Sequence, residues 1–180
     1  WVAFVAKRVQ NGKKDEDPQL YLIPPDGGEA KRAGEVPTGV VDFKWFPDGE
    51  RIAFITWAWP QLKGVSQADK LKETKARKDS AFATEDAVYR HWDHNLPMGR
   101  VPHLCIMEIK NGHVVDLLEG TDYELPRREP SANEFDISAD GKSISFVFDP
   151  EKGQNAAPRM ALAEIQLKGN KVIAIRSLVK

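Results

Sequence analysis

Apolar and polar positions alternate in short runs along most of the chain, and three of these runs match one another. In "KWFPDGERIAFI", residues 44–55, an aromatic run ends at Pro47-Asp48-Gly49 and an alternating run follows through Ile52 and Phe54. "DISADGKSISFV", residues 136–147, repeats the arrangement, with Asp140-Gly141 for Asp48-Gly49, Ile144 for Ile52 and Phe146 for Phe54. "WVAFVA" at the start overlays "RIAFIT", placing Val2, Ala3 and Phe4 on Ile52, Ala53 and Phe54. Asp-Gly supplies the positive φ of a reversing turn, and alternation marks a strand with one buried face. Each copy therefore predicts a hairpin. A second hairpin follows each, in "QLYLIPPDGGEAKR", "HLCIMEIKNGHVVDLL" and "ALAEIQLKGNKVIAI", turned at Asp26-Gly27-Gly28, Asn111-Gly112 and Gly169-Asn170. The repeating unit has four strands.

Four-stranded units at a period of about 40–50 residues predict β-propeller blades, whose faces pack on their neighbours. Phe4 and Phe54 are 50 residues apart, but Phe54 and Phe146 are 92 apart, so the second unit carries an insertion. Residues 60–101 supply it. Within them "QADKLKETKARKDSAFATEDAVYR" contains no Gly or Pro and is rich in strong helix formers, predicting one or two helices. The expected fold class is all-β, a partial propeller of about three four-stranded blades spanning residues 1–180, with one helical insertion in the second blade. The first blade lacks its initial strand. Propellers close with about four to eight blades, so the chain is expected to be a piece of a longer protein, or one that pairs with other chains. Uncovered blade flanks also favour self-association.

Composition narrows the function classes. A chain of 180 residues, 41% hydrophobic and 29% charged, suits a globular domain, and its net charge of −1 argues against a nucleic-acid partner. The basic run "KLKETKARK" is bracketed by Asp69 and Asp79 and holds Glu73, as on a solvated helix face. No apolar run approaches the ~18 residues of a membrane span, no membrane partner is expected, and no secretory signal is visible. The compartment stays open, with a cytoplasmic setting favoured. Cys105, alone in the chain, reads as a buried inert thiol. His91 and His94 with Asp93 lack an evident further ligand, so no metal and no cofactor are expected.

The "WFPDGERIAF" repeat resembles TolB-like propeller repeats. "TEDAVYRHWDHNLPMGRVPHLCIMEI", residues 84–109, resembles the propeller of prolyl oligopeptidase-family serine peptidases, in the acylaminoacyl-peptidase and dipeptidyl-peptidase branch. The resemblance covers essentially the whole chain. It implies a propeller that precedes a C-terminal α/β-hydrolase domain, covers its active site and filters peptide substrates by size. The catalytic triad of that family is absent, because no serine here sits in the G-x-S-x-G elbow that exposes a nucleophile. These residues alone are therefore expected to have no peptidase activity, although the full-length protein is read as a hydrolase.

Five residues are candidates for substrate binding. Glu85 and Asp86 resemble the acidic pair that holds a substrate's free amino group in the dipeptidyl branch; after Thr84 as N-cap they equally suit a helix N-terminus. Arg90, Trp92 and Asp93 belong, with His91 and His94, to the densest cluster. Arg90 and Asp93 suit an i,i+3 pair on a helix with Trp92 plugging the joint between insertion and blade, or Arg90 and Trp92 contact the peptide. Two functions follow: a non-catalytic propeller that gates and shapes a peptidase's substrate cleft, or a TolB-like propeller that binds another protein.

Overall fold

Period-two alternation and Gly-containing turns produce a nearly all-β chain. The computed structural model describes residues 1–10, 12–62, 65–78, 90–91, 94–95, 99–152 and 159–179. The first sheet contains β1 (Val2–Ala6), β4 (Gln19–Ile23) and β5 (Lys31–Arg32) in the order β1-β4-β5. A short hairpin, β2 (Val9–Gln10) with β3 (Lys13–Lys14), stands in the connection from β1 to β4. The second sheet has β6 (Asp42–Trp45), β7 (Arg51–Ala58), β10 (Val101–Glu108) and β11 (Val114–Asp116), ordered β11-β10-β7-β6. Between β7 and β10 lie the helix α1 (Val65–Ala76) and the paired strands β8 (Arg90–His91) and β9 (His94–Asn95). The third sheet is β12 (Phe135–Ile137), β13 (Ser143–Phe148), β14 (Ala161–Lys168) and β15 (Lys171–Val179), in sequence order. All pairings are antiparallel. Successive strands are neighbours, as in the meander of a propeller blade, and the architecture is all-β and propeller-like.

The second sheet is covered on both faces. Ile52 and Phe54 of β7, with Cys105 and Met107 of β10, pack towards Leu20 and Leu22 of the first sheet. Ala53 and Ile55, with Leu104 and Ile106, pack towards Ile144, Phe146 and Ala163 of the third. This explains why "IAFI" and "LCIM" read as continuous apolar runs, whereas β13 and β14 alternate buried and half-buried positions.

The register aligns the three expected phenylalanines. Phe54 lies on the face turned to the first sheet and Phe146 on the face turned to the second; both are fully buried. Ala3 and Val5 of β1 face the second sheet, so Phe4, between them, occupies the corresponding opposite face of the first sheet. Among the described residues no sheet lies against that face. Phe4 is accordingly half-buried, unlike the two phenylalanines it aligns with, and it stacks on Tyr21 with ring centroids 5.9 Å apart.

Local chemistry sets the turns. Gly49 and Gly141 have φ of +68° and +66°, the left-handed region that disfavours a Cβ. Asp48 Oδ1 accepts from the N–H groups of Glu50 and Arg51, and Asp140 Oδ1 accepts from Lys142 N–H. Arg51 then joins the turns of two sheets. Its guanidinium lies 4.0 Å from the Phe46 ring centroid and donates to Asp48 Oδ2 at 2.7 Å and Gly169 O at 2.9 Å. Lys44 of β6 bridges to β12, donating to Phe135 O at 2.7 Å and Asp136 Oδ1 at 3.1 Å.

The helical reading carried through to Arg90 needs correction. Residues 90–91 and 94–95 are paired strands, Arg90 opposite Asn95 and His91 opposite His94, so Arg90 does not belong to a helix face. Three of the four paired residues, His91, His94 and Asn95, have poor helix propensity, which weakens a helical pattern there.

Candidate functional site

Strand direction alternates along each sheet, so the β1–β4 and β7–β10 connections leave from the ends opposite the β6–β7 turn that Arg51 anchors. These two connections meet. A groove of about 610 Å³ lies between the β2–β3 hairpin and residues 15–19 on one side and α1 on the other, with Arg32 and residues 35–37 completing its wall.

Each wall is fixed by side chains. Asp15, with only 1% of its side chain exposed, is the hub of the sheet side. Tyr21 O–H donates to its Oδ2 at 2.6 Å, Arg8 N–H donates to the same oxygen at 3.1 Å, and Arg32 Nη2 forms an ion pair with Oδ1. Burial acts to raise the Asp15 carboxyl, but these three donors outweigh it and leave its pKa below the ordinary value. The Arg8 guanidinium sits 5.5 Å from the Tyr21 ring centroid and covers the network. Gln19, also buried, donates to Val36 O at 2.8 Å and accepts from Val36 N–H at 3.0 Å, tying the loop after β5 to the start of β4.

On the helix side, no residue from 66 to 76 is fully buried, so α1 is held by polar anchors rather than an apolar face. Gln67 donates to Trp59 O and Leu62 O at 2.8 and 2.9 Å and accepts from Trp59 N–H, fixing the angle at which the chain enters the helix. In the last turn Lys75 Nζ lies 2.8 Å from both Glu16 Oε2 and Asp17 Oδ2. The Lys75 ammonium holds Glu16 below the ordinary carboxylate value. Beside the helix entry, Trp59 is buried under the Arg100 guanidinium at 5.3 Å from its ring, and burial lowers the Arg100 pKa.

Of the sequence candidates, Glu85, Asp86, Trp92 and Asp93 lie outside the described residues, and only the backbone of Arg90 is described. The groove was not anticipated. Asn11-Gly12, a strong two-residue hairpin signal, was available to mark the β2–β3 hairpin. The Asp15–Tyr21–Arg32 network has no local signature, because its members come from a loop and two different strands. His103, in β10, donates its Nδ1–H to Asp116 Oδ2 at 2.7 Å. Cys105 is buried, and burial first, then Asp116 and Glu119, push its thiol well above the ordinary value, in keeping with an inert core residue. Among the described residues no group of three or more His, Cys, Asp or Glu is placed to hold a metal, and no helix is long and apolar enough to cross a membrane.

No protein-family model matches the chain. Dipeptidyl-peptidase 5 of Porphyromonas endodontalis is 27% identical over 157 residues, covering 81% of this chain and 22% of that protein. An uncharacterized peptidase of Bacillus subtilis, YuxL, is 25% identical over 145 residues, covering 81% of this chain and 20% of that protein. Among solved structures, the tricorn protease superposes with a TM-score of 0.48 at 11% identity, over 87% of this chain and 11% of that one. TolB from Acinetobacter baumannii superposes with a TM-score of 0.45 at 12% identity, over 91% and 27% of the two chains. The chain spans about a fifth of the length of the curated relatives it matches. It is thus, over four fifths of its own length, a homologue of one segment of dipeptidyl-peptidase 5 and of YuxL.

Proposed function

We propose that the chain is the non-catalytic propeller part of a serine peptidase, and that it gates and shapes the peptide cleft of an α/β-hydrolase domain encoded beyond it. The observation that carries the reading is the homology to two peptidases along a stretch with no nucleophile elbow among its seven serines. The β7–β10 insertion is where substrate contact is assigned. There Glu85 and Asp86 receive the ammonium of the peptide N-terminus, while Arg90, Trp92 and Asp93 contact the following residues. An ammonium entering a partly dry cleft needs such a counter-charge.

Two measurements test this. The reading frame beyond residue 180 should contain a G-x-S-x-G elbow; a frame that ends without one removes the peptidase reading and leaves a protein-binding propeller. The chain itself, purified, should neither hydrolyse dipeptidyl chromogenic substrates nor take up a fluorophosphonate probe, and a labelled serine between residues 1 and 180 overturns the division of labour.

The face of the first sheet that carries Phe4 is covered at Tyr21 but open at Val2, and this bears on assembly. Phe4 occupies the position that Phe54 and Phe146 fill beneath a neighbouring sheet, and Val2 beside it is 52% exposed. In isolation, a second copy is the available cover. Light scattering is expected to show self-association that Phe4→Glu abolishes; a monomer at all concentrations removes this expectation.

A further inference from the structure

The groove between the β2–β3 hairpin and α1 has a charge imbalance in its lining. Five cations line it, Lys13, Lys14, Arg32, Lys72 and Lys75, against the four acids Asp15, Glu16, Asp17 and Glu35. Three of those acids are already engaged: Asp15 by Arg32 and Tyr21, and Glu16 and Asp17 by Lys75. Lys13, Lys14 and Lys72 are exposed and make no ion pair with any described residue. They approach from opposite walls, two from the hairpin and one from the helix.

We propose that this groove binds an acidic peptide segment, whose carboxylates are received by Lys13, Lys14 and Lys72 with Arg32 at the base. The proposal rests on the peptide-handling function above and assigns a preference to it. Arg32 is three-quarters buried and held by Asp15, so its planar guanidinium is set in place before a ligand arrives. Val36, Pro37, Ala68 and Leu71 give the same groove an apolar wall for the methylene stems of glutamate side chains. The volume lies within the range of about 300–1,000 Å³ that small-ligand sites take. Among the described residues no aromatic side chain lines the groove, so they offer no platform for stacked bases and favour a peptide over a single-stranded nucleic acid.

The test uses a fluorescein-labelled peptide rich in glutamate, its glutamine counterpart and inorganic polyphosphate as competitor, followed by anisotropy at low and high salt. The glutamate peptide is expected to bind at least about tenfold tighter than the glutamine one, and the difference to fade with salt. Combined Lys13→Glu, Lys14→Glu and Lys72→Glu substitution should weaken it by roughly tenfold or more while leaving the thermal unfolding midpoint in place, since the three side chains are exposed. Equal binding of the two peptides, or unchanged binding by the triple variant, overturns the proposal. So does polyphosphate that competes as tightly as the glutamate peptide, which assigns the groove to polyanions generally. Loss of the hydrolase reading leaves this measurement intact, because the chain alone carries the groove.

Discussion

Phe54→Ala and Phe146→Ala are each expected to lower stability by about 3–5 kcal/mol, and Phe4→Ala by only about 1–2 kcal/mol. The three residues hold equivalent places in three successive sheets, yet they differ in what lies opposite. Phe54 packs with Leu20, Leu22 and Met107 between two sheets, and its removal leaves a void that rigid strands on either side cannot close. Phe146 packs with Ile55 and Leu104, and its ring meets Tyr123 edge to face at a centroid distance of 5.8 Å. Phe4 has Tyr21 on one side and solvent on the other, so truncation removes one stacked pair and leaves no enclosed cavity. Urea unfolding of the three variants checks the order. A Phe4→Ala loss as large as that at Phe54 would mean that the first sheet is covered in solution.

The same equivalence explains what was legible in the sequence. Asp-Gly and Asn-Gly turns encode their geometry in two adjacent residues, and a period-two pattern encodes which face is buried, so the hairpins and the positions of Phe54 and Phe146 could be read directly. What lies between β7 and β10 was harder. The stretch around Lys70 and Lys75 has high helix propensity and does form α1, but at Arg90 the same reading fails because the short strands β8 and β9 pair only with each other and show no alternation long enough to detect. The groove was illegible for a different reason. Asp15, Tyr21, Arg32 and Lys75 are brought together by the packing of one sheet's connection on another's helix, and neither charge count nor spacing along the chain signals that encounter.

Raising the pH from about 5 to 8 is expected to destabilise the chain by roughly 1–2 kcal/mol through Glu134, and Glu134→Gln is expected to remove that dependence. Glu134 closes a short 3-10 turn, Ala132–Glu134, at the entry to β12; Ser131 caps the turn and donates its N–H to Glu134 Oε2 at 3.4 Å. The turn is fastened to the second sheet by Asp42, whose Oδ2 accepts from Ala132 N–H at 2.7 Å. Burial in this joint pushes the Glu134 carboxyl up to about 7, and the Ser131 N–H only partly offsets it. The folded chain therefore holds the proton more tightly than the unfolded chain, in which the carboxyl titrates near 4.5. The stability this contributes is fully present below about pH 4.5 and is lost as the pH rises through about 7. At about 1.4 kcal/mol per pKa unit the full effect is about 3 kcal/mol, and solvent reaching a half-buried carboxyl reduces it to the smaller figure. Asp136 and Asp140 move the opposite way, lowered first by hydrogen bonds from Lys44 and Ser138 respectively, so their titration falls below the window. Glutamine keeps the oxygen that accepts from Ser131 and carries no titrating proton, so the variant should unfold at the same temperature at pH 5 and pH 8 where the parent does not. If Glu134→Gln shows the same fall as the parent, the burden of ionisation lies with another group and the joint at residues 131–135 is not the pH-sensitive element.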